Sequence, residues 1–186
     1  MADIKPIETK FDGYRFRSRL EARWAVFFKE YGLDFEYELE GYKLPSGLQY
    51  LPDFYLTDLD TYIEIKPHQK LTRKEIEKIT EFSLEGDKRL LLIIGTPTNE
   101  TMYFIDRRHM FSLEEFEEYQ DPTVTDEEFA ESFIEVLSEA TVQFAPMPFY
   151  HPSKISLIYK ELPPYQAHRR MAALLKAKQA RFEHGN

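Results

Sequence analysis

The segment YLPDFYLTDLDTYIEIKP, residues 50–67, sets two short runs rich in Tyr, Phe, Leu and Ile on either side of a polar turn, and no other stretch constrains the fold as much. Strands over 50–56 and 61–66 joined by a turn at 57–60 form an antiparallel hairpin, in which facing residues have numbers summing to about 117. Side chains alternate along a strand, so Tyr62, Glu64 and Lys66 share one face while Thr61, Ile63 and Ile65 share the other. The same register sets Asp53 opposite Glu64. Directly opposed side chains start about 5 Å apart, near enough for two carboxylates to share one divalent ion; without a cation they repel.

The flanking sequence supplies the rest of an α/β core. RFRSRLEARWAVFFKEYG places Leu20, Trp24, Phe27, Phe28 and Tyr31 at helical spacing, with Ser18 to cap the start and Gly32 to end it. LDFEYELEGY alternates Phe35, Tyr37 and Leu39 with Glu36, Glu38 and Glu40, the pattern of a strand with one wet face. LTRKEIEKITEFSLEGD predicts a helix with Ile76, Ile79 and Phe82 inward, the wholly apolar RLLLIIG a strand inside a sheet, and TMYFID one more strand. SLEEFEEY and TDEEFAESFIEVLSEA each carry a capping-box start. FAPMPFYHP is expected to be a proline-broken connector. The helix predicted from PPYQAHRRMAALLKAKQARFEHG has Met171, Leu174 and Leu175 as its apolar stripe. The expected organisation is a core over 1–110 and an acidic, then basic, helical region over 111–186 packed on it.

A net charge of -9 argues weakly against a polyanion partner until its distribution is considered. Residues 111–145 hold eleven Asp and Glu and no Lys or Arg, so the rest of the chain is at +2, and residues 151–186 alone are at +5. DNA is therefore not excluded as a partner. The absence of cysteine removes disulfides and thiolate chemistry. With no apolar run of membrane-spanning length, and no apolar leader in MADIKPIETK, a soluble cytoplasmic protein is expected.

An oxygen-only pair such as Asp53 and Glu64 suits Mg²⁺ or Mn²⁺, which keep several waters and draw further coordination from substrate phosphate. Lys66 beside them can help deprotonate a water or screen charge on a scissile phosphate. Each residue also has a plainer reading. Glu64 and Lys66 can be a surface ion pair, Asp53 a turn former, and Glu21 the closing partner of the capping box begun by Ser18. Arg15, Arg17, Arg19 and Arg23 are candidates for phosphate contact. His68 lies near Lys66 but stays outside the candidate site.

RSRLE opening a helix, DFEYE as a strand, YLPDFYL and YIEIKP together resemble the successive signatures of the PD-(D/E)XK nuclease superfamily, nearest to the phage endonuclease I type that resolves DNA junctions and the endonuclease subunit of heteromeric transposases. The resemblance covers about the first half of the chain. It implies a restriction-endonuclease-like mixed sheet flanked by helices, with a helical C-terminal appendage. It also implies Mg²⁺-dependent DNA cleavage in phage or bacterial recombination, repair or replication. Matched residue by residue, it implies a catalytic quartet of Glu21, Asp53, Glu64 and Lys66, with Asp53, Glu64 and Glu21 holding the metal. Junction resolvases usually have glycine after the lysine; this chain has Pro67. Two cuts in one duplex or junction need two sites, which makes a homodimer an expectation. The alternative is a lapsed nuclease fold acting as a DNA- or protein-binding module.

Overall fold

The computed structural model describes residues 7–67, 71–85, 88–105, 123–137, 143–146, 155–158 and 164–182. A hairpin of β1 (Thr9–Phe11) and β2 (Tyr14–Phe16) leads into helix α1 (Arg19–Tyr31). Ser18 accepts the Glu21 N–H at 3.2 Å and starts the helix. Gly32, left-handed at φ 82°, ends it: its N–H bonds to the Lys29 carbonyl at 3.1 Å, and the Leu33 N–H returns to Phe28 at 2.8 Å.

The strands β3 (Phe35–Tyr37), β6 (Phe54–Leu56), β7 (Thr61–Lys66), β8 (Leu90–Thr96) and β9 (Asn99–Ile105) form one mixed sheet in the order β3-β6-β7-β8-β9. Only β7 and β8 run parallel, and helix α2 (Arg73–Glu85) makes the crossover between them. β8 is an interior strand, buried at every residue from Leu90 to Ile94, as its unbroken apolar run requires. Alternation distributes the core between the two faces. Ile63, Ile65, Leu91, Ile93, Met102 and Phe104 meet α1, while Tyr62, Leu90, Leu92, Ile94, Tyr103 and Ile105 meet Ile76, Ile79 and Phe82 of α2. The chain is thus a mixed α/β protein with helices on both faces of a five-stranded sheet.

The C-terminal helices join both layers. Helix α3 (Asp126–Leu137), capped by Thr125, sends Phe129, Phe133 and Leu137 into the α2 side, and helix α4 (Pro164–Gln179) sends Ala173, Leu174 and Ala177 onto the α1 side. Among the described residues no helix is long and apolar enough to cross a membrane.

The hairpin has the expected register: Phe54 faces Ile63, Tyr55 faces Tyr62 and Leu56 faces Thr61, each pair summing to 117. Its turn is a 3-10 turn at Thr57–Leu59, followed by Asp60 in the left-handed region. Elsewhere four expectations need correction. The strand begun at Phe35 stops at Tyr37, because Glu38 takes φ 48° and turns the chain, leaving Leu39 exposed. The strand expected over 50–56 is two: Gln49–Tyr50 (β5) pairs with Tyr42–Lys43 (β4) in a separate ladder, and Pro52 with Asp53 separates it from β6. Part of the expected connector is a strand, since Gln143–Pro146 (β10) pairs with Ile155–Ile158 (β11). The stripe on α4 is also rotated: Met171 and Leu175 are half-exposed, and alanines 173 and 177 flank the buried Leu174. Small residues let α4 lie close against α1, a choice that apolar size alone does not reveal. The helix expected from SLEEFEEY lies outside the described residues.

The rotated stripe separates two neighbouring leucines. Leu174→Ala should cost about 2–5 kcal/mol in urea unfolding, whereas Leu175→Ala should stay within about 0.5 kcal/mol.

Candidate active site

The hairpin ends at one side of the sheet in a cleft of ≈ 690 Å³, lined in part by Arg17, Glu21, Tyr50, Asp53, Glu64, Lys66 and Glu75. Asp53 lies just before β6. Its Oδ2 accepts the Ile65 N–H at 2.7 Å, so a side chain takes over the pairing where the ladder stops. Its Oδ1 lies 3.3 Å from Arg17 Nη2. Glu64 accepts the Tyr50 hydroxyl on Oε2 at 2.9 Å, and its Oε1 lies 2.9 Å from Lys66 Nζ.

Both residues are 7% exposed, a degree of burial that only partnered or strongly perturbed acids sustain. Burial, then repulsion from Glu64 and Glu21, holds the Asp53 carboxyl well above the usual carboxylate range, and the Ile65 N–H and Lys66 offset this only in part. Burial and Glu64 likewise push the Tyr50 hydroxyl well above its ordinary value, keeping it a neutral donor to Glu64.

Lys66 is pinned between Glu64 and Glu75, its Nζ lying 2.7 Å from Glu75 Oε1. Burial would lower its pKa, but the two carboxylates outweigh burial and raise it. The ammonium is therefore suited to stabilising negative charge rather than accepting a proton. Glu75 closes the capping box of α2, accepting the Thr72 N–H and hydroxyl on Oε2 at 2.8 Å, while its other oxygen holds Lys66. Although burial opposes it, the Lys66 and Thr72 bonds lower its pKa.

Glu21 serves the cap and the cleft together. Its Oε1 accepts the Ser18 hydroxyl at 2.6 Å; its Oε2 accepts the Tyr37 hydroxyl at 2.6 Å and the Arg17 N–H at 3.1 Å. The box thus closes on Arg17 rather than on the Ser18 amide. All four expected site residues line the one cleft. Of the candidate phosphate-binding arginines Arg17 lines it too, whereas Arg15 pairs with Glu8. His68 lies outside the described residues. Sequence reasoning missed Tyr37, Tyr50 and Glu75. Only Glu75 left a signal, the Thr-x-x-Glu spacing at Thr72.

The donor set fits a hard divalent cation. Two buried carboxylates line one cleft at the end of the hairpin, one with its proton affinity raised by the other, and a cation between them would remove that repulsion. Among the described residues no group of three or more Asp, Glu, His or Cys side chains is gathered as a ready-made metal cage. A small cation held by Asp53 and Glu64 would complete its shell from water and substrate oxygens.

Comparison of the chain with family models, with curated proteins and with solved structures found no match.

A group that binds its proton more tightly in the folded than in the unfolded chain leaves stability intact below its unfolded pKa and reduces it as pH rises through the folded value. Asp53 is such a group. The neutral isostere Asp53→Asn, whose amide oxygen still accepts from Ile65, should raise the melting temperature of the metal-free protein at neutral pH by about 2–4 °C, the shift that about 1 kcal/mol gives a chain of this size. The gain should vanish near pH 3.

Proposed function

We propose that this chain is a Mg²⁺- or Mn²⁺-dependent DNA endonuclease of the PD-(D/E)XK type, with a restriction-endonuclease-like core. The observation that carries the reading is the buried Asp53–Glu64 pair with Lys66 beside it in one open cleft. The resemblance of RSRLE, YLPDFYL and YIEIKP to that superfamily supports it, as does the spatial meeting of these three stretches.

In this reading Asp53 and Glu64, with Glu21 lining the same cleft, would hold the ion, which would supply charge neutralisation and an activated water. Tyr50 fixes the orientation of Glu64 through its 2.9 Å hydroxyl bond. The Ile65 amide does the same for Asp53. Lys66, held charged between Glu64 and Glu75, stabilises the negative charge that grows on a phosphate undergoing attack. DNA reaches the cleft as substrate, and burial of the carboxylates keeps bulk water from dissipating their field.

Plasmid DNA incubated with the protein tests this directly. Nicking or linearisation should occur in Mg²⁺ or Mn²⁺ and cease in Ca²⁺ or excess chelator. Lys66→Ala should lower the cleavage rate at least about hundredfold without weakening Mn²⁺ binding in calorimetry. Undiminished cutting in chelator contradicts the metal reading, and DNA binding without any turnover would assign the chain to the non-catalytic binding class instead.

Glu21→Gln separates cap from site. The amide oxygen can still accept from Tyr37 and Arg17, and the amide nitrogen can donate to Ser18, so the melting temperature should match the wild type. Cleavage should fall at least about tenfold if the carboxylate serves the ion. As a control, Ser18→Ala should cost about 1 kcal/mol of stability and largely retain activity while folded. Wild-type cleavage by Glu21→Gln would leave Glu21 a cap alone.

A further inference from the structure

We infer that Arg17 is the resident counter-ion of the metal-free site and becomes the residue that grips the substrate phosphate once a divalent ion takes over Asp53. The inference rests on the nuclease reading and adds to it a residue that exchanges partners.

Among the described residues, two cations touch the buried carboxylates, and they are held differently. Lys66 is 18% exposed and clasped by Glu64 and Glu75, so it has nowhere to go. The Arg17 side chain is 56% exposed, yet its Nη2 reaches Asp53 Oδ1, whose side chain is only 10% exposed. At 3.3 Å that contact is longer than the roughly 2.7–2.9 Å of a firm charge-assisted bond. Its Nε lies 2.5 Å from Glu38 Oε1, at the point where φ 48° turns the chain out of β3.

The base of the side chain, in contrast, is fixed. The Arg17 N–H faces both Glu21 Oε2, at 3.1 Å, and the Tyr37 hydroxyl, at 3.0 Å. With its backbone tethered and its Nε paired to Glu38, the guanidinium has one long contact, that to Asp53, which it can exchange while its origin stays within the cleft. Electrostatics favour the exchange, since a divalent ion on Asp53 would repel the guanidinium and remove the charge that attracted it, leaving Glu38 as its carboxylate partner. What the ion brings to the same spot is a phosphate, and the planar guanidinium fork matches phosphate oxygens two at a time. By linkage, whatever Arg17 contributes to neutralising Asp53 is subtracted from metal affinity.

The test measures Mn²⁺ binding to the DNA-free protein by calorimetry, for the wild type, Arg17→Gln and Arg17→Lys. A parallel series measures affinity for a short duplex in Ca²⁺ as salt is varied. Arg17→Gln should bind Mn²⁺ about fivefold or more tightly, because the competing charge is gone. It should bind the duplex more weakly, with a salt slope shallower by about one. Arg17→Lys should return Mn²⁺ affinity toward the wild type, because it restores the charge, without restoring full duplex affinity, because it lacks the fork. Melting temperatures of all three confirm that folded protein is compared. Unchanged or weaker Mn²⁺ binding by Arg17→Gln overturns the counter-ion role, and an unchanged salt slope overturns the phosphate role. If the wild type itself binds no Mn²⁺, the nuclease reading falls and this inference falls with it.

Discussion

The bond from the Ile65 amide to the Asp53 carboxylate, 2.7 Å long and buried, is the point on which the site depends. It continues the β6–β7 pairing one step past the last backbone rung, where Pro52 lies just ahead of Asp53. In doing so it draws a carboxylate to the end of two interior strands, beside a second one on β7. A one-residue slip of this hairpin would turn Glu64 and Lys66 to the opposite face and separate them from Asp53. The apolar packing of Ile63 and Ile65 against α1, and of Tyr62 against α2, prevents that slip. Core packing and site geometry are therefore one constraint.

The same arrangement makes the site a place of stored electrostatic cost. Asp53, Glu64 and Glu21 line one cleft, where Arg17 contacts Asp53 and Lys66 contacts Glu64. The surrounding structure holds the carboxylates there with directed bonds: Tyr50 to Glu64, Ile65 to Asp53, Tyr37 and Ser18 to Glu21. A chain selected only for stability would replace such a pair with apolar groups or remove one charge. Local rules are commonly broken at functional positions, and this cleft is such a breach.

Much of this was legible in the sequence, and the failures have physical causes. Helix α1 could be bounded at both ends because Ser18 and Gly32 act locally, and the hairpin register followed from strand alternation and a short turn. The alternation in FEYELE continued beyond the strand it described, since nothing local announces the left-handed backbone at Glu38. On α4 apolar size points to Met171 and Leu175 for the face that Ala173 and Ala177 occupy, but close helix packing favours small side chains. Residue types and spacing single out Asp53, Glu64 and Lys66 as candidates, but their supporting bonds come from elsewhere in the chain. Tyr50 reaches Glu64 from a separate two-stranded ladder, and Tyr37 reaches Glu21 from the edge of the sheet. Such contacts become visible only after the chain has folded.

The central claim is that the Asp53–Glu64 pair is completed by a divalent cation. Crystals of the protein soaked in Mn²⁺, with anomalous scattering recorded at the manganese edge, test it most directly. The account predicts a single strong anomalous peak between the Asp53 and Glu64 carboxylates, about 2.0–2.3 Å from an oxygen of each, and its loss in Asp53→Asn. No peak in the cleft at millimolar Mn²⁺, or a peak that survives Asp53→Asn unchanged, would contradict it.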